Sequence, residues 1–140
     1  MSMNGFRFLQ SENGSESWRM KAATADLYEN KEARLRDIEI LFQSPDKREA
    51  VLRGELGTMD TETGDGILRR AEREVRIVTS DGYLLTADSL AWRAGERIVR
   101  TPDVFKLLGS EMYLEGRGFS ANVDIRKITV NDNVKAVLQE

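Results

Sequence analysis

The stretch LEGRGFSA (Leu114 to Ala121) decides how this chain folds. Gly116, Gly118 and Ala121 fit G-x-G-x-x-A, a tolerated form of the loop that cradles a dinucleotide pyrophosphate. That chemistry needs a helix opening directly after the glycines, because its unpaired N–H groups and positive dipole end hold the phosphate. The residues that follow, NVDIRKITV (Asn122 to Val130), alternate instead and are rich in β-branched side chains. They read as a strand. The glycines therefore serve strand geometry rather than a nucleotide.

Working outward, LEGRGFSA is the last of four related segments, after MKAATADL (Met20 to Leu27), LRGELGTM (Leu52 to Met59) and LTADSLAW (Leu85 to Trp92). Their apolar or small positions are Met20, Ala22, Ala25, Leu27; Leu52, Gly54, Gly57, Met59; Leu85, Ala87, Leu90, Trp92; and Leu114, Gly116, Phe119, Ala121. The steps are 2, 3, 2 in every copy, and the copies begin 32, 33 and 29 residues apart. Each is followed by a polar turn and a second apolar run: ARLRDIEILF, EVRIVT, RIVRTPDVFKLL and RKITVNDNVKAVL.

Steps of two are strand alternation with the marked side chains on one face. The step of three would turn the later half to the other face unless a β-bulge or a corner intervenes. Four bent strand pairs then predict an all-β, twisted antiparallel sheet that curls over itself into a sandwich or roll. Helical repeats also run at about 33 residues, and Ala22 to Phe42 suits a helix in composition. Internal glycines, Pro102 and the Asp81-Gly82 turn oppose a helix in the later copies. The second marked position is Ala22, Gly54, Ala87 or Gly116, small each time. Either the backbone approaches closely at the bend, or small inward residues leave room for a ligand.

Composition narrows the chemistry. The 140 residues suffice for one domain with a real core, and 40% hydrophobic content excludes wholesale disorder. A net charge of −3 with mixed signs shows no basic block, so no nucleic-acid partner is expected. Without His or Cys, Ser–His and Cys–His catalysis and imidazole or thiolate metal sites are excluded. MDTETGDG (Met59 to Gly66) resembles a calcium loop, but with Asp60 as position 1, position 6 is Asp65 and position 12 is Ala71. It reads as an acidic turn between strands. No pair among the 24 acidic residues is singled out for glycosidase chemistry. No enzyme activity, cofactor or metal is expected.

The order and spacing of several pieces resemble the LptC family, the bitopic periplasmic component of the lipopolysaccharide export machine of Gram-negative bacteria. The pieces are W-x-x-x-A at Trp18 to Ala22, L-x-G-x-x-G-x-M-D at Leu52 to Asp60, and V-x-I-x-T-x-D-G-x-x-L-x-A-D-x-L-x-W at Val75 to Trp92. They continue with I-V-R-T-P-D-V at Ile98 to Val104, L-x-G-x-G-F at Leu114 to Phe119 and V-x-x-V-L at Val134 to Leu138. The related LptA family shares the fold. The resemblance implies an open β-jellyroll of the OstA/LptA type over residues 15–140. Residues 1–14 read as a flexible leader after a membrane anchor absent from this chain. It also implies a periplasmic domain, tethered to the inner membrane, with lipid A acyl chains in its apolar interior.

On that basis the expected groove residues are Met20, Ala22, Leu27, Leu52, Gly54, Met59, Leu85, Ala87, Leu90, Trp92, Leu114, Gly116 and Phe119. The N-terminal edge is expected to meet the inner-membrane ABC transporter complex. The C-terminal edge, with Ile128, Val130, Val134, Ala136, Val137 and Leu138, is expected to meet an LptA-like bridge protein by β-augmentation. The other reading of ITVNDNVKAVL is an ordinary last strand. Self-association into a homo-oligomer is left open, as are an LptA-like soluble bridge and a structural or glycan-binding β-repeat module. Low aromatic content, at 7%, weighs against the glycan-binding module.

Overall fold

Alternating apolar and polar residues leave most of this chain one regular way to bury its apolar side chains, as extended strands. The computed structural model describes residues 1–12, 16–44, 47–122 and 128–138, which form an all-β antiparallel jellyroll. Its strands are β1 (Ser2–Glu12), β2 (Glu16–Leu27), β3 (Glu32–Gln43), β4 (Glu49–Asp60), β5 (Gly66–Arg69) and β6 (Val75–Thr79). They continue as β7 (Leu84–Ala87), β8 (Ser89–Arg93), β9 (Ile98–Leu108), β10 (Met112–Asn122) and β11 (Ile128–Leu138). One sheet runs β1-β2-β3-β4-β5-β8-β9-β10-β11, and β6 with β7 makes a second bridge between β4 and β9.

The long strands change partners along their length. Residues 50–53 of β4 pair with β6 and residues 56–59 with β5. Likewise β9 pairs with β8 through residues 98–100 and with β7 through residues 105–108. Two layers result, one containing β6 and β7, the other β5 and β8, with the long strands passing through both. Across the space between them, Arg97 in the turn after β8 reaches the end of β3. Its Nη2 donates to the Gln43 carbonyl at 2.9 Å, and its guanidinium lies 5.6 Å from the Phe42 ring centroid.

The expected bend is made by two devices. From β1 to β4 the ladder skips one row (Gly5, Ala23, Asp37, Glu55) and resumes in the same register. Gly5 and Asp37 in that row have φ of +67° and +52°. This is a corner with no inserted residue, and it absorbs the step of three in β2 and β4. In β10 a bulge does the work. The register shifts between Glu115 and Arg117 towards β11 and between Arg117 and Phe119 towards β9, with Gly118 at φ +75°. LEGRGFSA is a bulged strand, and its third glycine-like position opens no helix.

Two expectations need correction. The leader expected over residues 1–14 is a full strand across Ser2–Glu12, paired with β2 from Ser2↔Asp26 to Glu12↔Glu16, and residues 13–14 lie outside the described residues. Phe6 is buried and Phe8 packs against the core, so β1 covers apolar surface that β2 would otherwise expose. The third bent strand is not continuous: β7 ends at Ala87 and β8 starts at Ser89. Between them the Asp88 carbonyl accepts the Arg70 N–H at 2.8 Å, and its carboxylate meets Arg70 Nη1 at 3.1 Å. That anchors the break to the end of β5.

The marked repeat positions turn inward in all four copies. All are buried except Leu27, Gly54 and Leu114, which are half-buried. Together with Leu35, Ile40, Phe42, Leu68, Ile77 and Leu107 they make one continuous core.

Candidate functional site

The interior brings the expected groove residues into a single apolar cluster spanning both layers. Met20, Ala22, Leu52, Met59, Leu85, Ala87, Leu90, Trp92 and Phe119 all belong to it, with Leu27 and Leu114 packed against its margin. Gly116 is buried on the same face of β10. The small residues are explained by protein packing where their surroundings are defined. A side chain begun at Gly54 would meet Leu68 Cβ at 3.2 Å, and one at Gly57 would meet Leu68 and Ile38 at 3.0 Å. Leu68, from β5, fills the hollow that these two glycines create.

Aromatic side chains divide between anchoring and rim. Trp92 is structural, since its Nε1–H donates to the Gly64 carbonyl at 2.6 Å. Across β1, β2 and β3, Phe8 packs tilted on Trp18 at a centroid separation of 5.4 Å, and Trp18 stacks on Phe42 at 5.8 Å. Phe105 and Phe119 pack at 4.9 Å on β9 and β10.

The sheet ends in β1 on one side and β11 on the other, and among the described residues these two strands do not pair with each other. A seam therefore runs along the roll. Several half-buried apolar residues packed against the core lie beside it: Phe8 on β1, Met112 and Leu114 on β10, and Val130 on β11. Of the expected C-terminal edge residues, Val130 pairs with Phe119, while Ile128, Ala136, Val137 and Leu138 take register positions opposite Ala121, Leu114, Tyr113 and Met112. The side chains of Ile128, Val134, Ala136, Val137 and Leu138 lie outside the described residues. Sequence reasoning missed Phe6 and Phe8, although the alternation in FRFL (Phe6 to Leu9) was a usable signal.

Polar side chains in turns and on strands are used to fasten the turns and loops to the sheet. Asp60 Oδ1 accepts the N–H groups of Glu62 at 2.8 Å and Thr63 at 3.2 Å, so the acidic MDTETGDG segment is a capped turn. The Glu55 carboxylate accepts the N–H of Arg73 and, at 2.9 Å, that of Glu72. The Arg73 bond is the main reason its carboxyl titrates below the ordinary value, and partial burial works the other way. Ser89 Oγ donates to Asp103 Oδ2 at 2.5 Å where β8 leaves the break. Among the described residues no His, Cys, Asp or Glu grouping is placed to hold a metal, and no helix is long and apolar enough to cross a membrane.

Comparison with known proteins places this geometry. A family model described as LptC, lipopolysaccharide-assembly, LptC-related, matches residues 1–139. Among solved structures the chain is similar to LptH of Pseudomonas aeruginosa, described as the LptA homologous periplasmic component of the conserved lipopolysaccharide transport device. The TM-score is 0.66 at 12% identity, over 88% of this chain and 95% of that one, a likeness of fold. No curated protein matches the sequence.

Proposed function

The chain belongs to the LptC-related lipopolysaccharide-assembly family, and from that premise we propose that it receives lipopolysaccharide from an inner-membrane ABC transporter and passes it to an LptA-like bridge protein. It works in the periplasm, tethered to the inner membrane, and performs no covalent chemistry. The observation that carries this reading is an apolar interior that runs unbroken through both layers and nears the surface along the seam between β1 and β11.

The energetics suit the task. An acyl chain of about twelve carbons hides roughly 10 kcal/mol from water at about 0.8 kcal/mol per methylene. A dry space between two sheets supplies that shelter without any catalytic group. Side chains fill the interior in this structure, so acyl chains enter by displacing the half-buried residues at the seam, Phe8 and Leu114 first. The unpaired edges of β1 and β11 offer their backbone groups to the neighbouring transporter and bridge domains by strand addition.

Photo-crosslinking to lipopolysaccharide from a probe at Leu90 tests the interior, with outward-facing Ala91 on the same strand as control. Labelling from position 90 alone supports a lipid-holding interior. Equal labelling from both positions indicates adsorption to the surface, and labelling from neither sinks the proposal.

A further inference from the structure

Outward side chains of a two-layered antiparallel fold are ordinarily polar. The layer containing β5 and β8 largely follows this rule. Across its outer face Arg34 pairs with Thr58 and Arg100 with Ser120, with only Ile67 and Ala91 apolar between them. The layer containing β6 and β7 breaks it. There Leu41 pairs with Val51, Val51 with Val78, Val78 with Leu84, Leu84 with Leu108, and Leu108 with Tyr113. One outward row is thus apolar without interruption from β3 to β10, and beyond Arg19 it ends in Leu9 on β1. Leu9, Val78 and Leu108 are 69%, 39% and 49% exposed.

The next outward row, two residues along each strand, is basic. Arg53 pairs with Arg76, Arg7 with Lys21, and Lys106 stands further along, beyond Thr86. Its acids are engaged already. Glu39 lies 3.9 Å from Lys21 and 3.3 Å from Arg53, and Glu115 accepts the Tyr113 hydroxyl at 3.1 Å. The chain as a whole carries −3, so this concentration of positive charge is local.

We propose that this outer face docks on the surface of an anionic lipid bilayer. The apolar row enters the boundary between acyl chains and headgroups, and the basic row, about 7 Å away along the strands, meets the phosphates. At about 4.8 Å per strand, the row from Leu41 to Tyr113 is about 24 Å long, which matches an extended surface better than one amphiphile. A second copy of the chain would set one basic row against another and meet like-charge repulsion. Strand addition uses the edges of a sheet, and this row lies on its face. The proposal does not depend on what the interior holds.

Vesicle flotation of the whole chain tests it, using phosphatidylethanolamine vesicles with or without phosphatidylglycerol and phosphatidylcholine vesicles as the neutral reference. The expected result is flotation with the phosphatidylglycerol vesicles, weakened by salt. Val78→Asp with Leu108→Asp should abolish it, and Arg76→Glu with Lys106→Glu should weaken it by about tenfold or more. Arg100→Glu, which changes the charge by as much as the aspartate pair but on the other outer face, should leave it unchanged. If the aspartate pair unfolds the chain, the milder Val78→Ser with Leu108→Ser answers the same question. Absence of flotation, equal flotation with neutral vesicles, or equal loss in Arg100→Glu overturns the proposal. So does a lipid-free dimer, seen by sedimentation, that Val78→Ser with Leu108→Ser dissociates.

Discussion

Trp92 on β8 and Gly64 in the turn between β4 and β5 are joined by a 2.6 Å hydrogen bond from the indole Nε1–H to the backbone carbonyl. Beside it, Gly66 pairs with Trp92 so closely that an added Cβ would lie 2.5 Å from the ring and 2.4 Å from the Thr58 carbonyl oxygen. This contact locks the acidic turn onto the core. Trp92→Phe should cost about 1–3 kcal/mol, because it strands a buried carbonyl. Gly66→Ala should cost about 3 kcal/mol or more, since backbone and a fully packed ring must both move. Urea unfolding followed by far-UV circular dichroism checks both. A loss under about 0.5 kcal/mol for Gly66→Ala would refute the packing described.

Leu68 fills the space above Gly54 and Gly57 and is fully buried. Leu68→Ala should destabilise the fold by about 2–5 kcal/mol, the range for a buried leucine that leaves a cavity. Thermal melting of the variant beside Ile67→Ala, its half-exposed outward neighbour, separates loss of packing from loss of strand propensity. Equal effects at the two positions would contradict the inward assignment.

The 2, 3, 2 spacing is legible in the sequence as strand alternation interrupted by a corner, whereas the inward parity of each strand is only an inference there and is shown by the burial of the marked positions. How the corner is built was not readable. A skipped ladder row at Ala23 and Glu55 and a bulge at Gly118 leave the same trace in the order of residues. β1 was hidden because Asn4-Gly5 interrupts its alternation and mimics a loose leader. The outer apolar row was hidden for another reason. It takes one residue from each strand, and only the register lines up Val51, Val78, Leu84 and Leu108.

Glu55 gives the fold a defined response to acid. Its folded pKa lies below the ordinary 4.5, chiefly through the Arg73 N–H. A lowered carboxyl pKa contributes stability that is complete above the unfolded value and lost as pH falls through the folded one. The loop at residues 70–74 should therefore loosen only below about pH 4.5. Amide hydrogen exchange of Glu72 and Arg73 across that range should show it. Glu55→Gln should exchange faster at neutral pH and lose the acid step, and an unchanged acid step in that variant would exclude Glu55 as its source.

Val137 stands opposite Tyr113 on the terminal strand. Proline there removes one N–H from β11 and cannot continue a ladder. The variant should keep its circular dichroism and melting temperature but lose pull-down of an LptA-like partner by tenfold or more, at about 1.4 kcal/mol per tenfold. Retained pull-down with an intact fold would make β11 an ordinary last strand.

The row that the ladder skips, Gly5, Ala23, Asp37 and Glu55, crosses four neighbouring strands in line. It is a crease. Flexing along it breaks no ladder pairing in that wall of the roll, while flexing anywhere else does. The line crosses the strands, so the halves of β1 to β4 on either side of it can change their angle to one another. Because β4 meets β6 on one side of Glu55 and β5 on the other, that angle is also the angle between the two layers, and it can change with the pairing of every strand preserved.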